Sequence, residues 1–304
     1  MSRPELPPDA EVPAPVVVTP AVLRDWPLPV GNDKESRGRT LIVGGSTQTP
    51  GAVLLAAEAA LRTGAGKLQV MTVESTAVAV AVALPEGLVR PVPRTPGGDI
   101  AAEAADVVVD LAQGCSSVLL GSGALDTDDV VSLLDLVVPR LRPGTTVVLD
   151  AMAMAWVGSR PDGLRHLAGD VVLTPNVTEI ALTLDVARQQ VEDDPAGAAR
   201  ELSRRTGAVV SLGGGRSHVA QPDGRTWRDD SGGRGLGVSG SGDVQAGIVT
   251  GLAARGATPA QSAVWGTFLH GRSGDRLAAS VGRMGFLARE VLAEVPRVLA
   301  EIEV

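Results

Sequence analysis

The chain has 304 residues, 44% of them hydrophobic and 20% charged, which is the composition of a globular protein with a sizeable core. Its 35 acidic residues outnumber its 27 Lys and Arg, and the net charge of −8 argues against a nucleic-acid or acidic-membrane surface. The single cysteine, Cys115, excludes an internal disulfide and a cysteine-rich metal framework. No apolar run approaches the roughly 20 residues that span a bilayer, and no signal-peptide core is present, so we expect a cytoplasmic protein.

Apolar and helical patterns alternate along most of the chain. Residues 1–15 hold five prolines and several charges, which predicts a disordered tail, and we expect one domain over residues 16–304. Strands are predicted at 39–43, 67–73, 88–91, 117–120, 146–149, 171–173 and 208–211, followed by a hairpin of 218–221 and 226–229. Helices are predicted at 21–26, 52–62, 100–113, 127–141, 195–206, 241–255, 259–274 and 284–301. This alternation predicts an α/β fold with a central, mostly parallel sheet covered by helices on both faces.

Glycine-bearing or polar turns follow several of the predicted strands, at 44–46, 121–123, 150 and 174–176. Glycines are also ordinary turn residues, so each turn alone is weak evidence. In open α/β sheets, however, the carboxyl ends of the strands form the ligand crevice. Because these turns fall at the same end of the predicted sheet, we expect the functional site there.

The segment Gly240-Ser241-Gly242-Asp243 directly precedes an apolar, helical pattern. Free N–H groups and the positive dipole end of a helix N-terminus bind anions, and glycines let a ligand approach the backbone. Asp243 is therefore either a catalytic base beside a phosphate or a residue that only complements the helix dipole, with a serine as the cap.

Two other segments each allow two interpretations. Asn176 and Glu179, three residues apart after a strand, could both serve a Mg²⁺–phosphate site, or could form a capping box at a helix start. The run Gly213-Gly214-Gly215 could hold phosphate or be only a loose loop after a strand. Spacing alone does not decide either case.

Several blocks, in order, resemble one family. They are Leu41-Ile42-Val43-Gly44-Gly45-Ser46, Pro50-Gly51-Ala52, Leu61-Arg62-Thr63-Gly64-Ala65-Gly66, Leu120-Gly121-Ser122-Gly123, Val148-Leu149-Asp150-Ala151, Leu173-Thr174-Pro175, Gly240-Ser241-Gly242-Asp243-Val244 and Leu269-His270-Gly271. Together, over roughly residues 34 to 279, they resemble the ADP/ATP-dependent NAD(P)H-hydrate dehydratases of the ribokinase-like superfamily.

The resemblance implies a three-layer ribokinase-like catalytic domain and a defined reaction. In this family a phosphoryl group of ADP or ATP is passed to the C6 hydroxyl of hydrated NADH or NADPH, with Mg²⁺. Phosphate then leaves with the push of the ring nitrogen, which restores the reduced cofactor. Such an enzyme is a carbon–oxygen lyase that repairs damaged nicotinamide cofactors, and the family often forms homo-oligomers.

The resemblance also implies roles for individual residues. Asp243 matches the catalytic aspartate, and the N–H groups around Gly240, Ser241 and Gly242 would stabilise the transferring phosphoryl group. Substrate-contacting positions correspond to Ala52, Gly123, Asn176 and Asp243. Nucleotide-contacting positions correspond to Leu212, Gly213, Gly214, Gly215, Arg216 and Gly242.

Two departures from the family keep other hypotheses open. Asn176 stands where the family usually has histidine, and this version resembles superfamily kinases for vitamin-like alcohols such as pyridoxal or hydroxymethylpyrimidine. Leu212 stands where the family has lysine, so a nucleotide-binding module with impaired catalysis is a third hypothesis. Only about thirty residues precede the matching region, so we expect a dehydratase without an attached epimerase domain.

Overall fold

The structure is a computed structural model that describes residues 14–303. The tail predicted over residues 1–15 therefore lies outside the described residues, apart from Ala14 and Pro15. The strands are β1 (Val16–Val17), β2 (Arg39–Val43), β3 (Lys67–Val73), β4 (Gly87–Val92), β5 (Ser117–Leu120), β6 (Thr146–Leu149), β7 (Val171–Leu173), β8 (Val209–Leu212), β9 (Ser217–Ala220) and β10 (Thr226–Asp229). The division into a tail and one domain stays a prediction.

Helices follow or separate nearly all of these strands. They are α1 (Pro20–Arg24), α2 (Pro50–Arg62), α3 (Glu74–Ala83), α4 (Ala105–Ala112), α5 (Thr127–Val137), α6 (Ala153–Ser159), α7 (Val177–Leu184), α8 (Arg188–Asp193), α9 (Pro195–Thr206), α10 (Ser241–Ala254), α11 (Pro259–Ser280) and α12 (Ala288–Ile302). Short 3-10 helices lie at Ala102–Ala104, Val138–Arg140, Arg165–Leu167 and Arg234–Leu236. No helix within the described residues is long and apolar enough to cross a membrane.

Within residues 14–303, ten strands form one sheet in the order β1-β10-β9-β8-β7-β6-β5-β2-β3-β4. Neighbouring strands are parallel, except that β9 is antiparallel to both β8 and β10. The carboxyl ends of β2, β5, β6, β7 and β8 therefore lie side by side at one edge of the sheet. The predicted mostly parallel sheet is confirmed.

The two faces of the sheet bury separate apolar cores. Side chains alternate between the faces along each strand, so Leu41 and Val43 pack on one side and Ile42 on the other. Helices α4 to α9 cover the first face, and α1, α2, α3, α10, α11 and α12 cover the second. Continuous apolar strands such as β6, buried along its whole length, are what a parallel sheet covered on both sides requires. The predicted three-layer architecture is confirmed.

Helices α2 and α10 pack with almost no side chain between them. A Cβ added to Gly247 would lie 2.2 Å from the carbonyl oxygen of Ala56, and one added to Gly251 would lie 2.4 Å from that of Ala60. Because only glycine leaves room for this approach, the two helices are in backbone-to-backbone contact. Each helix begins at the sheet edge where the strands end, so this contact fixes the spacing of their N-termini.

Most predicted elements match the structure, but some boundaries are wrong. The predicted helix 100–113 is a 3-10 helix followed by the shorter α4, and the helix predicted to end at 274 continues to Ser280 as α11. Helices α3, α6 and α8 and strand β1 were not predicted, because they are short or, in α3, lack an amphipathic pattern. Helix α7 was only one of two interpretations of the segment after Asn176. Strand β8 begins one residue later than predicted.

Candidate active site

The candidate site lies where β2, β5, β6, β7 and β8 end and α10 begins. The turn after β2 meets the turn after β5, since the Gly45 N–H donates to the carbonyl oxygen of Ser122 at 2.8 Å. A Cβ on Gly44 would lie 2.2 Å from that same oxygen. These glycines therefore let two strand-end turns close on each other, as the sequence predicts for this edge.

Helix α10 begins without a side-chain cap. Its N-cap is Gly240, at φ 86°, which has no side chain to accept a bond from the first turn. The expected capping role of a serine is not formed: the Ser241 hydroxyl is buried and lies 2.9 Å from Nε2 of His270. Burial lowers the pKa of His270 to about 4, so this imidazole is neutral at pH 7. The Ser241 N–H donates to the Val238 carbonyl oxygen at 3.1 Å, which leaves the N–H groups of Gly240 and Gly242 as the candidates for a ligand.

Asp243 lies on the first turn of α10 and is partly buried. Burial raises the pKa of Asp243 to about 6, and a hydrogen bond with the Ser122 side chain opposes the shift. A carboxylate with this pKa is ionised at neutral pH but is a stronger base than an exposed aspartate. This is the range that suits a general base.

Asp150, at the end of β6, is a second carboxyl group of the site. It is 4% exposed, and it accepts hydrogen bonds from the hydroxyls of Ser122 at 3.1 Å and Thr174 at 2.8 Å. Burial, and then the charge of Asp243, raise the pKa of Asp150 to about 8. Asp150 is therefore mostly protonated at pH 7, and in that form it donates to the Ser122 oxygen while the Ser122 hydroxyl donates to the ionised Asp243.

Sequence reasoning placed Asp150 at a strand end and Ser122 in a glycine turn but gave neither a role. The next residue, Ala151, has a positive φ of 51°, which is uncommon for a residue other than glycine. The signal available in the sequence was a lone acidic residue directly after the apolar run 147–149.

The predicted substrate residues Ala52 and Gly123 lie in contact. A Cβ on Gly123, at φ 71°, would lie 2.6 Å from the Cβ of Ala52. The Thr49 hydroxyl donates to the Gly123 carbonyl oxygen at 2.5 Å, which joins the start of α2 to the turn after β5. Since Ser122 adjoins Gly123, this pair lies next to the partner of Asp243. Their assignment to the substrate stays a prediction.

Asn176 and Glu179 form the capping box that was one of the two interpretations. The Asn176 side-chain oxygen accepts from the N–H groups of Thr178 at 2.8 Å and Glu179 at 3.0 Å. Glu179 Oε2 accepts from the Asn176 N–H at 2.9 Å. The amide oxygen is thus fully engaged within α7, and the Glu179 carboxylate is bonded to both the backbone and the side chain of Asn176.

The magnesium role of these residues stays a prediction. Among residues 14–303, no three His, Cys, Asp or Glu side chains lie close enough to hold a metal ion together. Burial raises the pKa of Glu179, and its hydrogen bonds with Asn176 oppose the shift. A carboxylate already bonded in this way fits Mg²⁺ only if phosphate and water supply most ligands, which is how Mg²⁺ is usually bound beside nucleotides.

The predicted nucleotide residue Gly242 of α10 is not in the lining of a cavity of about 700 Å³, but the other five predicted nucleotide residues line it. They are Leu212, Gly213, Gly214, Gly215 and Arg216, and the cavity is closed by residues of α8, β9 and β10. The Gly213 N–H donates to the Pro175 carbonyl oxygen at 3.1 Å, and Gly213 is bridged to Asn176. Gln245 of α10 donates weakly to Ser211 at 3.4 Å. These contacts place the glycine loop between the cavity and the first turns of α7 and α10.

The family is decided by comparison with known proteins. Residues 40–297 match the model of the NAD(P)H-hydrate dehydratase family. The chain belongs to this family. The resemblance drawn from the sequence blocks is therefore confirmed, and the comparisons do not favour the vitamin-alcohol kinase or the impaired binding module.

Two relatives show how this dehydratase family member aligns with other chains. It is 42% identical over 285 residues to an ADP-dependent (S)-NAD(P)H-hydrate dehydratase of Xanthomonas campestris, covering 93% of this chain and 95% of that one. It is 32% identical over 266 residues to a bifunctional NAD(P)H-hydrate repair enzyme of Moorella thermoacetica, covering 88% of this chain. The chain spans 50% of that bifunctional relative.

A solved structure shares the fold of this family member. The ADP/ATP-dependent NAD(P)H-hydrate dehydratase of Bacillus subtilis, co-crystallised with ATP and Mg²⁺, is 25% identical with a TM-score of 0.78. The similarity covers 97% of this chain and 100% of that one. The predicted ribokinase-like fold is thereby confirmed.

Proposed function

We propose that this protein is an ADP- or ATP-dependent NAD(P)H-hydrate dehydratase, a carbon–oxygen lyase that returns hydrated NADH and NADPH to NADH and NADPH. The observation that carries this proposal is the family match over residues 40–297, with 42% identity to a dehydratase of almost equal length. The position of Asp243 on the first turn of an uncapped helix supports the phosphoryl-transfer step.

In the first step, the C6 hydroxyl of the hydrated nicotinamide attacks the terminal phosphoryl group of the nucleotide. A new oxygen–phosphorus bond forms, the bond to the bridging oxygen breaks, and ADP would leave as AMP. Asp243, ionised at neutral pH, takes the hydroxyl proton. The N–H groups at Gly240 and Gly242 stabilise the negative charge of the transferring group, since the N-cap glycine has no side chain to occupy them. The N–H of Ser241, which the sequence also assigned to this role, donates to the Val238 carbonyl oxygen instead.

In the second step, the C6–oxygen bond breaks and phosphate leaves. The lone pair of the ring nitrogen forms a double bond to C6, and loss of a proton from C5 restores the reduced ring. We assign Ala52, Gly123 and Asn176 to contacts with the hydrated dinucleotide, which places its ring beside Ser122 and Asp243. The contact between Ala52 and Gly123 supports a shared substrate surface.

We assign the nucleotide to the cavity lined by Leu212, Gly213, Gly214, Gly215 and Arg216, with Gly242 at its catalytic end. Glu179, while bonded in the capping box, would hold Mg²⁺ jointly with phosphate and water. When bound, Mg²⁺ would neutralise charge on the phosphoryl oxygens.

The phosphoryl donor, the cellular compartment and the assembly of the protein are inferred from the family resemblance. We propose that either ADP or ATP serves as phosphoryl donor, that the protein is cytoplasmic, and that it forms a homo-oligomer. The exposed valines Val78 and Val82 of α3 are available to such an assembly.

The experiment combines purified protein with hydrated NADH, Mg²⁺ and either ADP or ATP. We expect the absorbance of reduced nicotinamide to return, with AMP as the product from ADP and one phosphate released per NADH restored. Folded protein that restores no absorbance with either nucleotide would contradict the proposal. Omission of Mg²⁺ tests the metal separately, and light scattering measures the oligomeric state.

A further inference from the structure

Three side chains lie side by side on the floor of the nucleotide cavity. Leu212 of β8 is in register with His218 of β9, and His218 is in register with Arg228 of β10. All three line the cavity of about 700 Å³. Because they occupy paired positions on adjacent strands, they present one continuous surface beside the glycine loop.

Two of these side chains have unsatisfied nitrogen atoms. His218 is only 8% exposed, and its Nδ1 has no hydrogen-bond partner among the described residues. The buried Nε of Arg228 likewise has none within residues 14–303, although another guanidinium nitrogen of Arg228 donates to Asp230 at 3.0 Å. A buried polar group without a partner is destabilising, so two on one cavity floor indicate a ligand that supplies the partners.

Guanidinium groups lie around this floor, and each is paired with an acidic side chain. Arg188 and Arg216 line the same cavity, and Asp230, which pairs with both Arg216 and Arg228, holds their guanidinium groups in place. Opposing charge comes from Glu192, which pairs with Arg188, and from Asp193. Burial, together with the charge of Arg228, lowers the pKa of His218, so the imidazole is neutral and has one donor and one acceptor nitrogen.

The cavity has one apolar end and one polar end. Apolar side chains of Val177, Val191 and Pro195 form the side toward α8, which suits a flat base. The glycine loop, His218 and Arg228 form the side toward Gly213, which lies beside Asn176 and the first turns of α7 and α10. A nucleotide whose terminal phosphate reaches Asp243 would therefore pass its phosphate chain over the polar side.

We propose that His218 and Arg228 bind the phosphate chain of the adenine nucleotide and are affinity-determining residues of the nucleotide site. Each of these nitrogen atoms has less than 1 Å² of accessible surface, so a side-chain rotation on binding would bring Nε of Arg228 and Nδ1 of His218 to the phosphate oxygens. This inference rests on the proposed function for the identity of the ligand. It adds two residues of the β9–β10 hairpin to a site that the sequence assigned to 212–216.

The experiment measures binding of ADP, ATP and adenosine by calorimetry, without the hydrated substrate. Arg228→Gln and His218→Phe are each expected to weaken ADP and ATP by about tenfold or more, because a charged or buried hydrogen bond is lost. Adenosine, which has no phosphate, should bind within about twofold of the parent. Arg225→Ala removes an arginine of the same hairpin that pairs with Asp223 outside the cavity, and this control should leave all three affinities unchanged.

Three outcomes would overturn the inference. These are unchanged ADP affinity in both variants, an equal loss for adenosine and ADP, or an equal loss in the Arg225→Ala control. Arg228→Lys keeps the charge and should retain more ADP affinity than Arg228→Gln, which separates a phosphate contact from a folding defect. Turnover is a separate readout: a parent protein that binds ADP as expected but restores no NADH refutes the proposed function and leaves this inference standing.

Discussion

The two helices that begin at the active-site edge, α7 and α10, differ in how their N-termini are satisfied. Helix α7 is capped by Asn176, and Glu179 returns a bond to the cap, so both polar side chains serve their own helix. Helix α10 begins at Gly240 without a side-chain cap in the described structure, and its acidic residue Asp243 interacts with Ser122 from another strand end.

The difference shows which acidic residue is available for chemistry. A carboxylate in a capping box is held by backbone N–H groups of its own helix, so its proton affinity and direction are fixed locally. Asp243 is bonded instead to its own N–H and to the Ser122 side chain, and burial makes it a stronger base at the N-terminus of α10. A helix start left uncapped is therefore a stronger sign of catalysis than an acidic residue at a helix start.

The largest expected effect comes from Asp243→Asn, which removes the base but keeps the shape of the first turn. We expect kcat for the dehydratase reaction to fall by about 10³-fold, within the range for loss of general-base catalysis, while ADP affinity stays within a few-fold. In the parent, only ionised Asp243 accepts the proton, so kcat should fall as the pH drops through about 6. Steady-state kinetics across pH 5 to 9 test both statements, and an unchanged kcat in the variant would reject Asp243 as the base.

The next largest effect concerns the packing of α10 against α2. Gly247→Ala places a Cβ 2.2 Å from the Ala56 carbonyl oxygen, and we expect a loss of about 2–4 kcal/mol in the free energy of unfolding. Gly242→Ala on the same helix is the stability control, because nothing in the described structure lies within 4 Å of its added Cβ. Denaturant titration should separate the two variants, and equal stability would disprove close packing of α2 on α10.

A smaller effect concerns Asp150 and its neutral form. Its raised pKa means that its contribution to stability is present below about pH 4 and is lost as the pH rises through about 8. Asp150→Asn cannot ionise, so the variant should gain about 1–3 kcal/mol over the parent at pH 9 and much less at pH 5. Thermal unfolding at the two pH values checks this, and a variant destabilised equally at both would indicate that Asp150 is ionised in the fold.

The smallest expected effect separates capping from metal binding at α7. Glu179→Gln keeps the capping box, so stability should change by less than about 0.5 kcal/mol, whereas Asn176→Ala should lose about 1 kcal/mol. If Glu179 also holds Mg²⁺, Glu179→Gln raises the Mg²⁺ concentration needed for half-maximal activity, although the helix is intact. An unchanged Mg²⁺ dependence would show that Glu179 serves only the capping box of α7.

Sequence patterns predicted the parallel strands well because a strand buried on both faces is continuously apolar, as in β5 and β6. Helix α3 was missed because its alanines and valines alternate without a helical stripe, which leaves Val78 exposed. The glycine loop at Gly240 was recognisable because its chemistry is local. The roles of Asp150 and His218 were not, because each depends on burial and on partners from distant strands.

Strand β1 helps to position Arg228 in the wall of the nucleotide cavity. Val17 pairs with Arg228, the Val18 N–H donates to the Arg228 carbonyl oxygen at 2.8 Å, and Pro15 lines the cavity. The first described residues are thus part of the wall that holds Arg228. Proteolytic cleavage between Val18 and Thr19 would weaken ADP binding without touching a residue of the reaction, and bound ADP would slow that cleavage.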